Sequence, residues 1–105
     1  MAISGASLAD GQLAAAKATI FTATSITYGK TITFFNTSAV TTETIVLYMN
    51  RLASGVSRGL RQIVLPPRHS EDYTNAIPMV VGDMLEAHST NAATVDYTLG
   101  GGITS

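Results

Sequence analysis

The chain has 105 residues, six basic and seven acidic side chains, a formal net charge of −1 and no cysteine. That length suits one domain with a single core. Near-neutrality offers no field to attract nucleic acid or an acidic membrane surface, and without cysteine there are no disulfides, no thiolate metal sites and no Cys nucleophile. Charged residues make up 12% of the chain and hydrophobic residues 46%, so charge is about half its usual share. A small domain normally keeps its large surface soluble with charge, and part of this surface is expected to be covered by another subunit. The 24 Thr and Ser residues supply a neutral polar dressing for the remainder. No apolar run approaches the ~20 residues of a membrane span. The first residues lack the basic-then-apolar order of a signal peptide, so the expectation is a protein soluble as made.

Residues 1–17 are small and polar, with Ala14-Ala15-Ala16 before Lys17. A helical turn from Leu8 to Ala16 is conceivable, but Gly11 interrupts it. The segment reads as an arm outside the domain, with Leu8 and Leu13 available to dock on a neighbour. From Ala18 the period becomes two. Thr19-Ile20-Phe21-Thr22 is a first short strand, rich in β-branched and aromatic residues. A second runs from Tyr28 to Asn36, with Tyr28, Ile32 and Phe34 on one face and Thr27, Thr31 and Thr33 on the other. Asn36-Thr37-Ser38 is turn chemistry. Glu43 to Asn50 is the third strand, with Ile45, Leu47 and Met49 inward and Val46 and Tyr48 partly covered on the other face.

Arg51 to Gly59 reads as a loop and Leu60 to Leu65 as the fourth strand, stopped by Pro66-Pro67. Ser70 to Thr74 reads as a polar connection. Three closing strands occupy Ile77 to Gly100, divided by turns at Gly82-Asp83 and from Ser89 to Ala92. In the last of them Val95, Tyr97 and Leu99 alternate with Thr94, Asp96 and Thr98. About seven short strands with no convincing helix predict an all-β fold, an antiparallel β-sandwich or jelly roll spanning residues 18–105 behind the arm. Crossover helices for a parallel sheet find no room.

The reactive residues are sparse. His69 precedes Ser70, Glu71 and Asp72, but neighbours in one loop rarely converge as a triad does, and there is no Gly-x-Ser-x-Gly elbow. Glu86 and His88, two apart on one strand, fall short of a zinc ligand set. Asp83 and Asp96 lack the clustered oxygens of a calcium loop, and Asp83 reads as the polar residue of a hairpin turn. Gly100-Gly101-Gly102 follows a strand with no helix after it, so it is no phosphate loop; it reads as a place where the terminus bends. Arg51, Arg58, Arg61 and Arg68 fall within eighteen residues. Arginine is favoured in protein interfaces, and nucleic acid would call for more net positive charge with aromatics on the same face. Leu8, Leu13, Lys17, Arg51, Arg58, Arg61 and Arg68 are therefore the expected partner contacts, with no catalytic, metal or cofactor residues.

The order Leu8-Ala9-Asp10-Gly11-Gln12-Leu13, Thr19-Ile20-Phe21-Thr22-Ala23, Thr31 to Ser38, Glu43 to Asn50, Val81 to Ala87 and Ala93 to Gly101 resembles the small β-sandwich virion proteins of tailed bacteriophages. The pattern departs from them at Ala23-Thr24-Ser25, where a Pro-containing turn would be expected. The resemblance implies a non-enzymatic virion component, foremost a capsid decoration (cement) protein that binds and stabilises the assembled lattice. Its expected partners are the major capsid protein and copies of itself, as dimer or trimer. The expected location is the phage particle, after synthesis in the host cytoplasm. A tail, baseplate or fibre-attachment accessory is the alternative within the virion. A carbohydrate-binding host-surface module is a further alternative, poorly served by a chain with no Trp, four Tyr and three Phe.

Overall fold

The structure, a computed structural model, describes residues 3–75 and 77–104. Among the described residues nine strands form two sheets: β1 (Ile3–Gln12), β2 (Ala18–Thr22), β3 (Thr27–Asn36), β4 (Glu43–Arg51), β5 (Val56–Leu65), β6 (Ser70–Tyr73), β7 (Ile77–Met79), β8 (Met84–His88) and β9 (Val95–Thr104). One sheet has the order β1-β9-β3-β6, with β7 also paired to β3; the other is β2-β8-β4-β5. All pairs are antiparallel. Two four-strand orders interleaved in this way are a jelly roll, and no helix occurs among the described residues.

Alternation builds the core. Ile45, Leu47 and Met49 of β4 face Ile32 and Phe34 of β3 across the sandwich, joined by Ile63, Leu65, Leu85, Val95 and Leu99, all buried. Each side chain of this size contributes about 1.5–3 kcal/mol when fully buried. On β9 the expected alternation is observed: Val95 and Leu99 are buried, while Asp96 and Thr98 are exposed. On β3 it is not. The register shifts between Gly29 and Thr31 against β9, and one extra residue reverses the facing of everything before it. Thr27 is consequently buried and Tyr28 points outward, opposite to the expectation.

Four further segments differ from the sequence reading. The expected arm is a strand over Ile3–Gln12, hydrogen-bonded along β9. Its ladder pairs Gly5 with Gly102, Ala6 with Gly101 and Ser7 with Gly100, so backbone bonds hold a strand whose side chains carry little β signal. Gly100–Gly102 accordingly lie inside β9 rather than at a bend. A Cβ on Gly101 would collide with the Tyr28 carbonyl oxygen, which is why the sheet needs glycine there. Beyond Arg51 the loop is only four residues, closed by a 2.8 Å bond from Gly55 N–H to the Arg51 carbonyl, and β5 already starts at Val56. Ser70–Tyr73 is strand β6, paired to Ile32–Phe35.

Two buried polar residues stitch the end of the sandwich where β3 finishes. Asn36 donates from Nδ2 to the carbonyls of Thr41 (2.8 Å), Leu65 (3.1 Å) and Pro66 (3.3 Å), and its Oδ1 accepts from Ser38 N–H. Glu43 accepts from Asn91 N–H (2.8 Å) and Nδ2 (2.6 Å), tying the β8–β9 connection to β4. Replacing Asn36 with Ala leaves three buried or half-buried carbonyls without that donor. The expected loss is about 2–3 kcal/mol of unfolding free energy, read by urea denaturation. Deleting residues 1–17 removes a sheet strand and buried Leu13 together. The truncated chain is expected to lose cooperative thermal unfolding, read by calorimetry.

Candidate interaction surfaces

At the opposite end of the sandwich three connections converge on one carboxylate. Val80-Val81-Gly82-Asp83 makes a turn, with Asp83 N–H donating to the Val80 carbonyl (3.0 Å) and Gly82 at φ +94°. A positive φ at the third position is what a type II turn requires, and glycine meets it without strain. The turn is not a hairpin as expected from sequence, because β7 belongs to one sheet and β8 to the other. Leu52 packs where a Cβ on Gly82 would sit.

Asp83 is almost wholly buried. Its Oδ1 accepts from Leu52 N–H (3.0 Å), and its Oδ2 from Val80 N–H (3.1 Å) and Arg51 Nη1 (3.0 Å). The Asp83 carbonyl accepts from Ala23 N–H, and Gly82 N–H donates to the Ala23 carbonyl, both at 2.9 Å. One residue thereby fixes the β2–β3, β4–β5 and β7–β8 connections relative to one another. Arg51 also donates to the Pro78 carbonyl (2.6 Å). Burial by itself pushes the Asp83 carboxyl up, but the N–H bonds from Leu52 and Val80 and the Arg51 guanidinium outweigh it, so the net direction is down.

Around this carboxylate the surface is apolar. Leu52, Val80 and Val81 are 66%, 57% and 58% exposed, and Ile26, Tyr28 and Val56 lie in or beside the same connections. Among the described residues, six of the nine exposed large hydrophobics thus fall at this one end, the remainder being Val40, Leu60 and Val64. A concentration of this kind marks an interaction site more often than a bare surface.

A second cluster lies on the outer face of the β2-β8-β4-β5 sheet. The Tyr48 hydroxyl and His88 Nε2 are 2.9 Å apart, with ring centroids at 5.7 Å, and Lys17 Nζ stands 4.8 Å from the Tyr48 ring centroid. Ser57 donates to Glu86 Oε1 at 2.6 Å. These groups satisfy one another: the Lys17 ammonium caps the aromatic ring, and the two possible metal ligands Glu86 and His88 each have a protein partner. Among the described residues no three His, Asp or Glu side chains gather as a metal site would require. His69 is exposed and its Nδ1 lies 2.8 Å from the Pro67 carbonyl.

The expected contact residues disperse. Leu13 is buried in the chain's own core and Leu8 packs against it, so burial of Leu13 within the domain replaces its expected docking on a neighbour. Lys17 covers Tyr48. Arg51 is tied to Asp83 at the apolar end, whereas Arg68 lies toward the other end, in a left-handed conformation (φ 61°) with its N–H shared by the Asn36 and Ser38 carbonyls. Arg58 and Arg61 are exposed on β5, Arg61 in a loose 3.8 Å pair with Glu71. Nearness in sequence therefore does not make the four arginines one patch. The sequence reading missed the reach of Asp83 and the Tyr48–His88 pairing. Gly-Asp in a turn signals the turn, but not that the carboxylate will turn inward onto two other loops.

No protein-family model matches the chain, and no curated protein does. Among solved structures it is similar to a protein of the disulfide-linked pili that form Bacillus endospore appendages, at a TM-score of 0.58 and 19% identity over 97% of this chain and 88% of that one. That likeness establishes a shared fold. Looser matches occur to chains of the infectious bursal disease virus Gx and Gt strains. Their TM-scores are 0.48 and 0.43 at 13% and 14% identity, over 97% and 96% of this chain but 33% and 31% of those.

A carboxyl that titrates lower in the folded chain than its ordinary 3.8 adds stability that is complete above that value and disappears as pH falls through the lower, folded one. The melting temperature is therefore expected to drop below about pH 4. Asp83→Asn is expected to remove that part of the acid sensitivity and to cost about 2–3 kcal/mol at pH 7. Differential scanning calorimetry of both chains between pH 2.5 and 7 checks this.

Proposed function

We propose that this chain is a non-enzymatic structural virion protein, foremost a capsid decoration protein that binds the assembled lattice and stabilises it. The observation that carries the reading is β5. It is an edge strand of ten residues, mostly exposed, with Arg58 and Arg61 on the side toward the other sheet, Val64 on the outer side and Leu60 at the bulge between them. Natural edges are normally short, bulged or covered, since their free N–H and C=O groups recruit other chains. A register shift interrupts this one near Leu60, but its apolar side chains still await a cover. Apolar groups beside arginine are what protein interfaces use.

The resemblance in strand order to tailed-phage virion proteins supports the virion setting, and the major capsid protein is then the partner. The jelly roll shared with a pilus protein is compatible with a building-block role. Linkage by disulfides, which the pili show, is closed to a chain without cysteine. A tail or baseplate accessory would use the same edge, and immunogold labelling of the particle distinguishes head from tail. The carbohydrate-module reading loses its best platform, because the Tyr48 ring is capped by Lys17 and its hydroxyl bonded to His88.

Capsids lacking the protein are expected to bind it stoichiometrically and to withstand higher temperature. Arg58→Glu with Arg61→Glu is expected to weaken that binding at least ~10-fold, the scale of two interface contacts at about 1 kcal/mol each. Cosedimentation with purified capsids reads both. No binding by the unaltered chain, or unchanged binding by the double variant, removes the assignment.

A further inference from the structure

We infer that β5 is a receptor strand for an extended acidic segment of a different chain, which adds to the sheet edge with two carboxylates, two residues apart, facing Arg58 and Arg61. This rests on the reading of β5 as the contact with a larger assembly, and it supplies the chemistry of what meets that contact. The register carries the argument. Leu47 lies opposite Arg61 and Tyr48 opposite Gly59, so Leu60 is one extra residue in the strand. Arg58 then lies opposite Met49 and, like Arg61, falls on the side of the sheet where Leu47 and Met49 are buried. On a regular strand two residues three apart face opposite ways. The bulge re-aims one of them and brings both arginines to one side, at positions about 7 Å apart along the strand. A strand laid along this edge presents its own residues i and i+2 at that spacing.

Charge decides which strand fits. Arg61 has Glu71 of β6 at 3.8 Å, with both side chains nearly half exposed, and that separation is longer than the ~2.8 Å of a charge-assisted hydrogen bond. Among the described residues no carboxylate pairs with Arg58. A charge on the inner side of an edge strand normally bars a further strand, because pairing would bury it without a partner. Two such charges close β5 to a neutral strand. They also close it to the β5 of a second copy, since antiparallel pairing sets arginine against arginine. Nor does another segment of a second copy match: none of the seven acidic residues lies two positions from another. A Glu-x-Glu strand meets both guanidiniums, so the feature that repels other strands selects this one. Its alternate side chains fall on the outer side of the sheet, beside exposed Val64.

Titration of the full chain with synthetic peptides, followed by the NMR shifts of its amides, tests this. The probe is a Thr/Val peptide as long as β5 with two central glutamates two positions apart. Its controls carry two lysines at the same positions, two threonines there, or two glutamates three positions apart, which face opposite ways. The glutamate pair is expected to shift the amides of Val56 to Leu65 and to bind at least ~10-fold tighter than any control, the scale of two charge-assisted contacts. Arg58→Glu with Arg61→Glu, both on an exposed edge, should fold normally, checked by circular dichroism. That variant is expected to reverse the preference and take the lysine peptide. No shift along β5 up to ~2 mM peptide, equal binding of the probe and its controls, or an unreversed preference in the double variant each overturns the acidic-strand site. None of these measurements involves a capsid. Lattice binding without a peptide preference leaves the proposed function standing and removes this site, and a peptide preference without lattice binding does the opposite.

Discussion

The Asp83 carboxylate is the constraint on which the apolar end of this molecule depends. A jelly roll sends its chain repeatedly from one sheet to the other, and each crossing leaves backbone N–H groups without ladder partners. At this end the N–H groups of Leu52 and Val80 both find their acceptor in one side chain, with the Arg51 guanidinium completing the set. Removing a carboxylate from water is costly unless its lone pairs are filled. Here backbone donors and one guanidinium fill them, and the penalty is offset by ordering three connections at once. The exposed apolar side chains around it are thereby presented on a fixed frame.

The other end uses the same strategy with neutral or uncompensated groups. Asn36 bridges carbonyls from two connections, and Glu43 holds Asn91. A domain this poor in charge has few surface ion pairs to draw on, and such pairs contribute little in any case. Its polar residues instead work where burial makes a hydrogen bond most consequential.

Legibility from sequence varied with where each segment's stability comes from. Strands that bury one face, such as β4 with Ile45, Leu47 and Met49 or β9 with Val95 and Leu99, announced themselves by alternation. β1 did not, because its Ala, Ser and Gly residues are held by backbone pairing to a glycine-rich partner, and backbone pairing leaves no side-chain pattern. Tyr28 faces away from the core, against its pattern, because a bulge is a one-residue event that no propensity records. The arginines are close in sequence but not in space, because the hairpin between Arg51 and Arg58 and the crossing before Arg68 separate them.

From the sequence alone follow the all-β class, the lack of cysteine chemistry and a surface short of charge, since each depends on composition or on local period. The tertiary structure alone decided that residues 3–12 belong to a sheet, that Leu13 is core, and that Asp83 faces inward beneath exposed apolar side chains. Those outcomes depend on which distant backbone groups lie opposite one another. Pairing between residues far apart in the chain is fixed by the packing of the whole sandwich and by no local stretch of it.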